Sequence, residues 1–146
     1  MKEELIKLST AKLAKEKGFI YNREEDEMYE LYEPNRMSYY FHRNSKKYSL
    51  LGDFYCDTNQ NFAQYNLNDK YPRYDAPTQS FLQKWLRENH KIEIYIRHWN
   101  GSTRVYEYVF HYTDQNKISH TVFSEDRYVV YEEALEEALF ESLKLI

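Results

Sequence analysis

Between Lys91 and Arg97 the chain alternates strictly, with Ile92, Ile94 and Ile96 on one side and Glu93, Tyr95 and Arg97 on the other. A period of two is the repeat of a β-strand, and isoleucine, branched at Cβ, suits a pleated surface with one dry face. Asn100-Gly101 follows, a dipeptide that favours the type I′ turn joining two antiparallel strands. With those two residues as the whole loop, Ile96 stands opposite Val105, Ile92 opposite Val109, Tyr95 opposite Tyr106 and Arg97 opposite Arg104. The return strand then runs to about Tyr112, a polar turn spans Asp114 to Lys117, and a third strand covers Ile118 to Phe123. An antiparallel meander is the expected centre of the molecule.

Helical spacing brackets this meander. Pro77 and Thr78 punctuate the chain ahead of Phe81, Leu82, Trp85 and Leu86, whose i, i+4 spacing draws one apolar stripe and leaves Lys84, Arg87 and Glu88 to water. After Ser124 to Val130 a last helix begins at Tyr131 and shares Tyr131, Leu135, Ala138, Leu139 and Ile146 along its buried face. Its Glu132, Glu133, Glu136 and Glu137 suit the positive end of the helix dipole, Lys144 suits the negative end, and the carboxylates read as a solvated face. Residues 78–146 therefore read helix–three strands–helix, with both helices on the isoleucine face of the sheet.

The first half is built differently. An extended piece from Leu5 to Leu8 leads to Ser9 or Thr10 as a helix N-cap, and Gly18 is placed to stop that helix. Strand-like stretches follow at Met28 to Tyr32, Ser38 to Arg43 and Tyr48 to Tyr55, parted by Pro34-Asn35 and by Asn44-Ser45-Lys46-Lys47. These strands are expected to extend the sheet of the second half. Residues 57–76 read as a long loop held down by Phe62, Tyr65, Leu67, Tyr71 and Tyr74. The fold class is α+β, with 146 residues forming one domain whose halves are 1–76 and 78–146.

Counting narrows the chemistry. Cys56 is the only cysteine, which removes an internal disulfide, a zinc ribbon and a CxxC redox pair. Glycine occurs only at 18, 52 and 101, too few for a phosphate-cradling loop, and no GxSxG is present. His42, His90, His98, His111 and His120 show no HExxH or i, i+4 pairing, so no metal is expected; His98 and His111 are placed on one sheet face. No catalytic residue and no cofactor is expected, and the chain reads as a non-enzyme. Its apolar runs are too short for a membrane span, and Met1 to Ser9 lacks the unbroken apolar stretch of a secretory signal, which points to the cytoplasm.

Three segments carry a resemblance: TAKLAKEKGF from Thr10, PTQSFLQKWLRENHKIEI from Pro77 and YEEALEEALFESLKLI from Tyr131. Together they resemble small hypothetical proteins carried by phages and prophages of gut Bacteroides. The resemblance implies a bacterial host cell as the setting, and no activity or catalytic residue comes with it. Separately, the helix–three strands–helix order of 78–146 is similar to that of double-stranded RNA-binding domains. The charges run against that likeness: the second helix opens with Glu132 and Glu133, and residues 78–146 carry 8 basic against 11 acidic groups, a balance of −3.

What remains is the aromatic excess, sixteen Tyr, eight Phe and two Trp, which must be buried or used for binding. In the register above, Tyr95, Tyr106, Tyr108, Phe110 and Tyr112 share the face opposite the isoleucines with Arg97 and Arg104. Tyr95, Arg97, Arg104, Tyr106 and Tyr108 are thus the candidate partner-binding residues. The expected partner is a protein met through a Tyr-rich surface, with nucleic acid gripped by the arginines as the alternative. The competing reading covers this face with the Tyr-rich first half, or neutralises the arginines with Glu93 and Glu107.

Overall fold

The structure, a computed structural model, describes residues 3–20, 37–52, 65–66 (as backbone) and 70–146. The strand expected at Met28 to Tyr32, Cys56, Phe62 and Leu67 lie outside them. The fold is α+β with antiparallel sheets, and the chain divides into two compact units, Met1–Leu13 with Thr78–Ile146, and Ala14–Pro77.

Helix α1 spans Leu8–Glu16, so the extended piece ends before Leu8 and neither Ser9 nor Thr10 caps it. Gly18 does stop it: at φ 92° its N–H donates to Lys15 O at 3.0 Å, and Phe19 N–H reaches Ala14 O at 2.9 Å. That bond pair is a Schellman motif, which a residue with a Cβ enters at a cost. In the Ala14–Pro77 unit β1 (Met37–His42) pairs along one edge with β2 (Lys47–Gly52) and along the other with the short β3 (Tyr65–Asn66) and β4 (Tyr74–Asp75). These strands form a sheet of their own, and among the described residues no ladder joins it to strands of the second half. Aromatics hold the chain after residue 70 as the sequence implies. Phe41 stacks on Tyr71 at 3.9 Å, Tyr48 lies 5.3 Å from Tyr74, and the Tyr48 hydroxyl donates to Pro72 O at 2.9 Å. Burial and the neighbouring Tyr74 push the Tyr48 phenol up to about 12.

The other unit contains α2 (Gln79–His90), β5 (Glu93–His98), β6 (Tyr106–Thr113), β7 (Ser119–Phe123) and α3 (Tyr131–Leu143). Thr78 caps α2 by accepting from Phe81 N–H at 3.3 Å, and Lys91, at φ 56°, closes its far end. Strand β6 lies between β5 and β7, giving the expected meander. Ile92 and Ile94 are buried beside Leu82, Leu86, Leu135, Leu139 and Leu143, and each such side chain contributes ~1.5–3 kcal/mol by leaving water. Tyr131, expected in that layer, is 42% exposed, and Ala134, Glu136 and Ser142 are buried.

The expected hairpin register does not form. Asn100 and Gly101 take the positive φ values of a type I′ turn, 47° and 75°, and Ser102 N–H bonds to Trp99 O at 2.9 Å. The ladder does not close on that turn, however. Trp99 N–H donates to Val105 O at 2.8 Å, so Ser102, Thr103 and Arg104 are extra loop residues. Every partner moves by three positions: Ile96 faces Tyr108, Tyr95 faces Val109 and Arg97 faces Glu107.

Glu136 corrects a second expectation, since it is 5% exposed and part of no solvated face. Its Oε1 accepts from Lys7 N–H at 2.8 Å and from Thr10 Oγ1 at 2.6 Å, and its Oε2 accepts from Gln79 Nε2 at 3.0 Å. The Gln79 amide also donates to Glu132 O at 2.9 Å, while Gln79 N–H bonds to Glu4 O at 2.9 Å. One carboxylate thereby fastens the chain at residues 7–10 and the start of α2 to α3. Glu136→Ala leaves three donors without their acceptor and should lower the unfolding free energy by about 3–5 kcal/mol. The exposed Glu137→Ala should change it by about 0.5 kcal/mol or less, as urea denaturation of both variants would show.

Candidate binding face

With this register the two faces of the β5–β6–β7 sheet can be assigned residue by residue, because directly paired residues point the same way. One face holds Ile94, Ile96 and His98 opposite Phe110, Tyr108 and Tyr106, with Val122 and His120 beyond them on β7. The other holds Glu93, Tyr95 and Arg97 opposite His111, Val109 and Glu107, with Thr121 and Phe123 on β7. Of the five candidate residues, only Tyr95 and Arg97 therefore share the outer face.

Tyr108 is buried at 6% exposure on the isoleucine face, and burial beside Tyr128 raises its phenol well above the ordinary value. Burial likewise carries Tyr128 to about 12. Tyr106 stacks on His98 at 4.8 Å and meets Tyr131 edge-on at 5.8 Å. Phe110 and Tyr112, also expected on the outer face, belong to the isoleucine face. Arg104 sits exposed in the loop, far from opposing Arg97 in a ladder. His98 and His111, expected on one face, lie on opposite ones.

Phe123 is the member that sequence reasoning missed. Tyr95, Val109 and Phe123 form one cross-strand row: Val109 is 4% exposed, while Tyr95 on one side is 51% and Phe123 on the other 53% exposed. At the ~4.8 Å spacing of strands, the two aromatics stand roughly 10 Å apart across the buried valine. Arg97 binds Glu107 at 2.8 Å and lies over the Phe123 ring at 5.3 Å. His111 meets Tyr95 edge-on at 5.6 Å and hydrogen-bonds Thr121 Oγ1 through Nδ1 at 2.8 Å. The face is aromatic, internally charge-paired at its basic position, and carries no lysine.

At the hairpin tip, Arg97, His98, Trp99, Asn100 and Glu107 line an open hollow of about 550 Å³. Arg127 covers the Trp99 ring at 4.9 Å and donates to the carbonyls of Ser124, Glu125 and Asp126. Two of the tip's three guanidinium groups are thus held by acceptors of the protein itself. Among the described residues no three His, Cys, Asp or Glu side chains gather as metal ligands would, and no helix is long and apolar enough to cross a membrane. Comparison with protein-family models, curated proteins and solved structures finds no match.

The β6–β7 turn is locked by Asp114, whose Oδ1 accepts from Asn116 N–H at 2.8 Å and Ile118 N–H at 3.0 Å, and whose Oδ2 lies 2.8 Å from His120 Nε2. Those bonds, the one from His120 foremost, hold the Asp114 carboxyl below its ordinary 3.8. A depressed carboxyl stabilises the fold fully above the unfolded pKa and loses that contribution as pH falls through the lower folded value. Wild type should therefore exceed Asp114→Asn in stability at neutral pH, with the gap closing below pH 3.8. Urea midpoints of the two proteins across an acid pH series check this.

Proposed function

We propose that this chain is a non-enzymatic accessory protein of a phage or mobile element, and that it binds another protein through the outer face of its β5–β6–β7 sheet. The resemblance of its three segments to phage and prophage proteins supports the setting. The observation that carries the binding role is the row Tyr95–Val109–Phe123, in which two large aromatic side chains stand half exposed on either side of a dry valine. A face of this kind holds apolar area in water that a partner would remove, and Tyr, Phe and Arg without Lys is the composition favoured at the centre of protein interfaces. The partner suited to it is an apolar protein surface with hydrogen-bonding groups for Tyr95, His111 and Thr121. It needs no strong charge, because Arg97 already has Glu107.

On this unit His111 is engaged by Thr121 and His120 by Asp114. Nucleic acid is the weaker reading for the same reason of engagement: Arg97 and Arg127 already have acceptors, and only Arg104 extends from the loop.

Affinity capture from host cells, run in parallel with wild type and Tyr95→Ser/Phe123→Ser, tests the face. A protein recovered in stoichiometric amount with wild type and at least about tenfold less with the double variant is expected, a loss of ~1.4 kcal/mol or more. Equal recovery from both proteins, with both equally folded by circular dichroism, would rule this face out. Salt-sensitive binding of an oligonucleotide that drops on Arg97→Glu would transfer the role to nucleic acid.

A further inference from the structure

The sheet's two outer strands differ in how their backbone edges are finished. Along β5 the residues bonded to β6 are the odd-numbered ones, as Trp99 N–H to Val105 O shows, so Ile94 turns its carbonyl outward. The Gln83 amide of α2 covers that carbonyl at 2.9 Å. Along β7 the residues bonded to β6 are the even-numbered ones, since Ser124 N–H donates to Tyr108 O at 3.0 Å and Ile118 O accepts from Asp114 N–H at 2.9 Å. Ser119, Thr121 and Phe123 therefore point their N–H and C=O groups away from the sheet, and no partner meets them among the described residues.

Bare strand edges attract other strands, and proteins blunt them with Lys, Pro, a bulge or a covering element. Strand β7, Ser-His-Thr-Val-Phe, has neither a lysine nor a proline within it. Its flanks are oppositely charged, with Lys117 before it and Glu125 after it, both exposed and neither in an ion pair among the described residues.

We propose that β7 pairs antiparallel with β7 of a second copy of this chain, about a two-fold axis through Thr121, to give a continuous six-stranded sheet. An isologous contact requires a self-complementary strip, and this one is self-complementary. Thr121 meets its own copy as a hydrogen-bonded pair, and Phe123 meets the small Ser119 of the partner subunit, which leaves room for the ring. Lys117 comes to the partner subunit's Glu125, and Glu125 to the partner subunit's Lys117. The outward groups of residues 119, 121 and 123 are the ones such a ladder uses, so the pairing requires no change in β6–β7. Within one chain Lys117 and Glu125 flank opposite ends of β7, whose five residues alone span roughly 17 Å, too far to pair with each other.

Sedimentation equilibrium of the full chain across a concentration series tests this. Wild type should pass from monomer toward twice its 18.0 kDa. Thr121→Pro removes an N–H that the β6 ladder does not use, together with the hydroxyl that bonds His111, and should abolish the dimer while the chain stays folded by circular dichroism, with a modestly lower thermal midpoint. Lys117→Glu should weaken the dimer by roughly tenfold, placing like charges at both ends, and adding Glu125→Lys should restore it. If Thr121→Pro does not fold, the charge exchange decides alone. A wild type that stays monomeric up to about a millimolar, a dimer indifferent to Thr121→Pro, or a double exchange that fails to recover association would each overturn the proposal.

Discussion

The single hydrogen bond from Trp99 N–H to Val105 O, 2.8 Å long, decides what the C-terminal sheet can do. It fixes the β5–β6 register, and side chains in a strand alternate with a period of two, so an offset by an odd number of residues exchanges the two faces. The offset here is three. Tyr108 and Phe110 consequently join Ile94 in the dry layer, with Ile96 half-buried beside Tyr108, and burial raises the Tyr108 phenol above its ordinary value. On the other side Arg97 meets Glu107 in place of a second arginine, which turns a repulsive pair into an ion pair. A face with two opposed arginines is thus replaced by one whose single strand arginine is paired with a carboxylate.

Glu136 performs a complementary task at the other end of the same unit. A buried carboxylate with no ion-pair partner among the described residues is costly unless its oxygens are fully used. Here three N–H or O–H donors from residues 7, 10 and 79 use them, and those residues come from two stretches far apart in sequence. Apolar contacts alone would let α2 and α3 slide along their stripes with little change in buried area. Directional bonds to one carboxylate do not allow that sliding, so the hydrophobic layer supplies most of the stabilisation and Glu136 selects the alignment.

Much of this architecture is legible where the signal is local. The isoleucine alternation, the Thr78 cap, the glycine stop at residue 18 and the positive φ of Asn100-Gly101 each depend on a few adjacent residues, and each is present. The register is not legible because turn chemistry fixes two residues and says nothing about how many more intervene before the ladder resumes. Ser102, Thr103 and Arg104 read equally well as strand or loop. Glu136 is hidden for a different reason: its donors lie 126 and 129 residues away at Thr10 and Lys7, and its neighbours Glu132, Glu133 and Glu137 make a run that looks like an exposed helical face. Of the candidate face, Tyr95 and Arg97 are legible from alternation alone. Phe123 became visible only once β7 was registered against Val109, since nothing in Ser119–Phe123 by itself says which side is wet.

The face and the edge point in different directions, and this separates what each can do. A sheet face offers side chains to a partner, whereas a strand edge offers backbone groups, so occupation of the edge leaves Tyr95 and Val109 as they are, and Phe123, on the edge strand itself, belongs to both. A dimer through β7 would carry two copies of the Tyr95–Val109–Phe123 row in one continuous sheet, related by the two-fold axis. Each row is small, and one small face binds weakly; two rows held at fixed separation bind a repetitive or symmetric target with an effective concentration that a monomer lacks. The Phe123 rings would lie nearest the axis and the Tyr95 rings farthest from it. A partner able to span both rows would therefore make its first shared contacts at Phe123, and the strength of the assembly would depend on how closely the target's own repeat matches the spacing set by the strands.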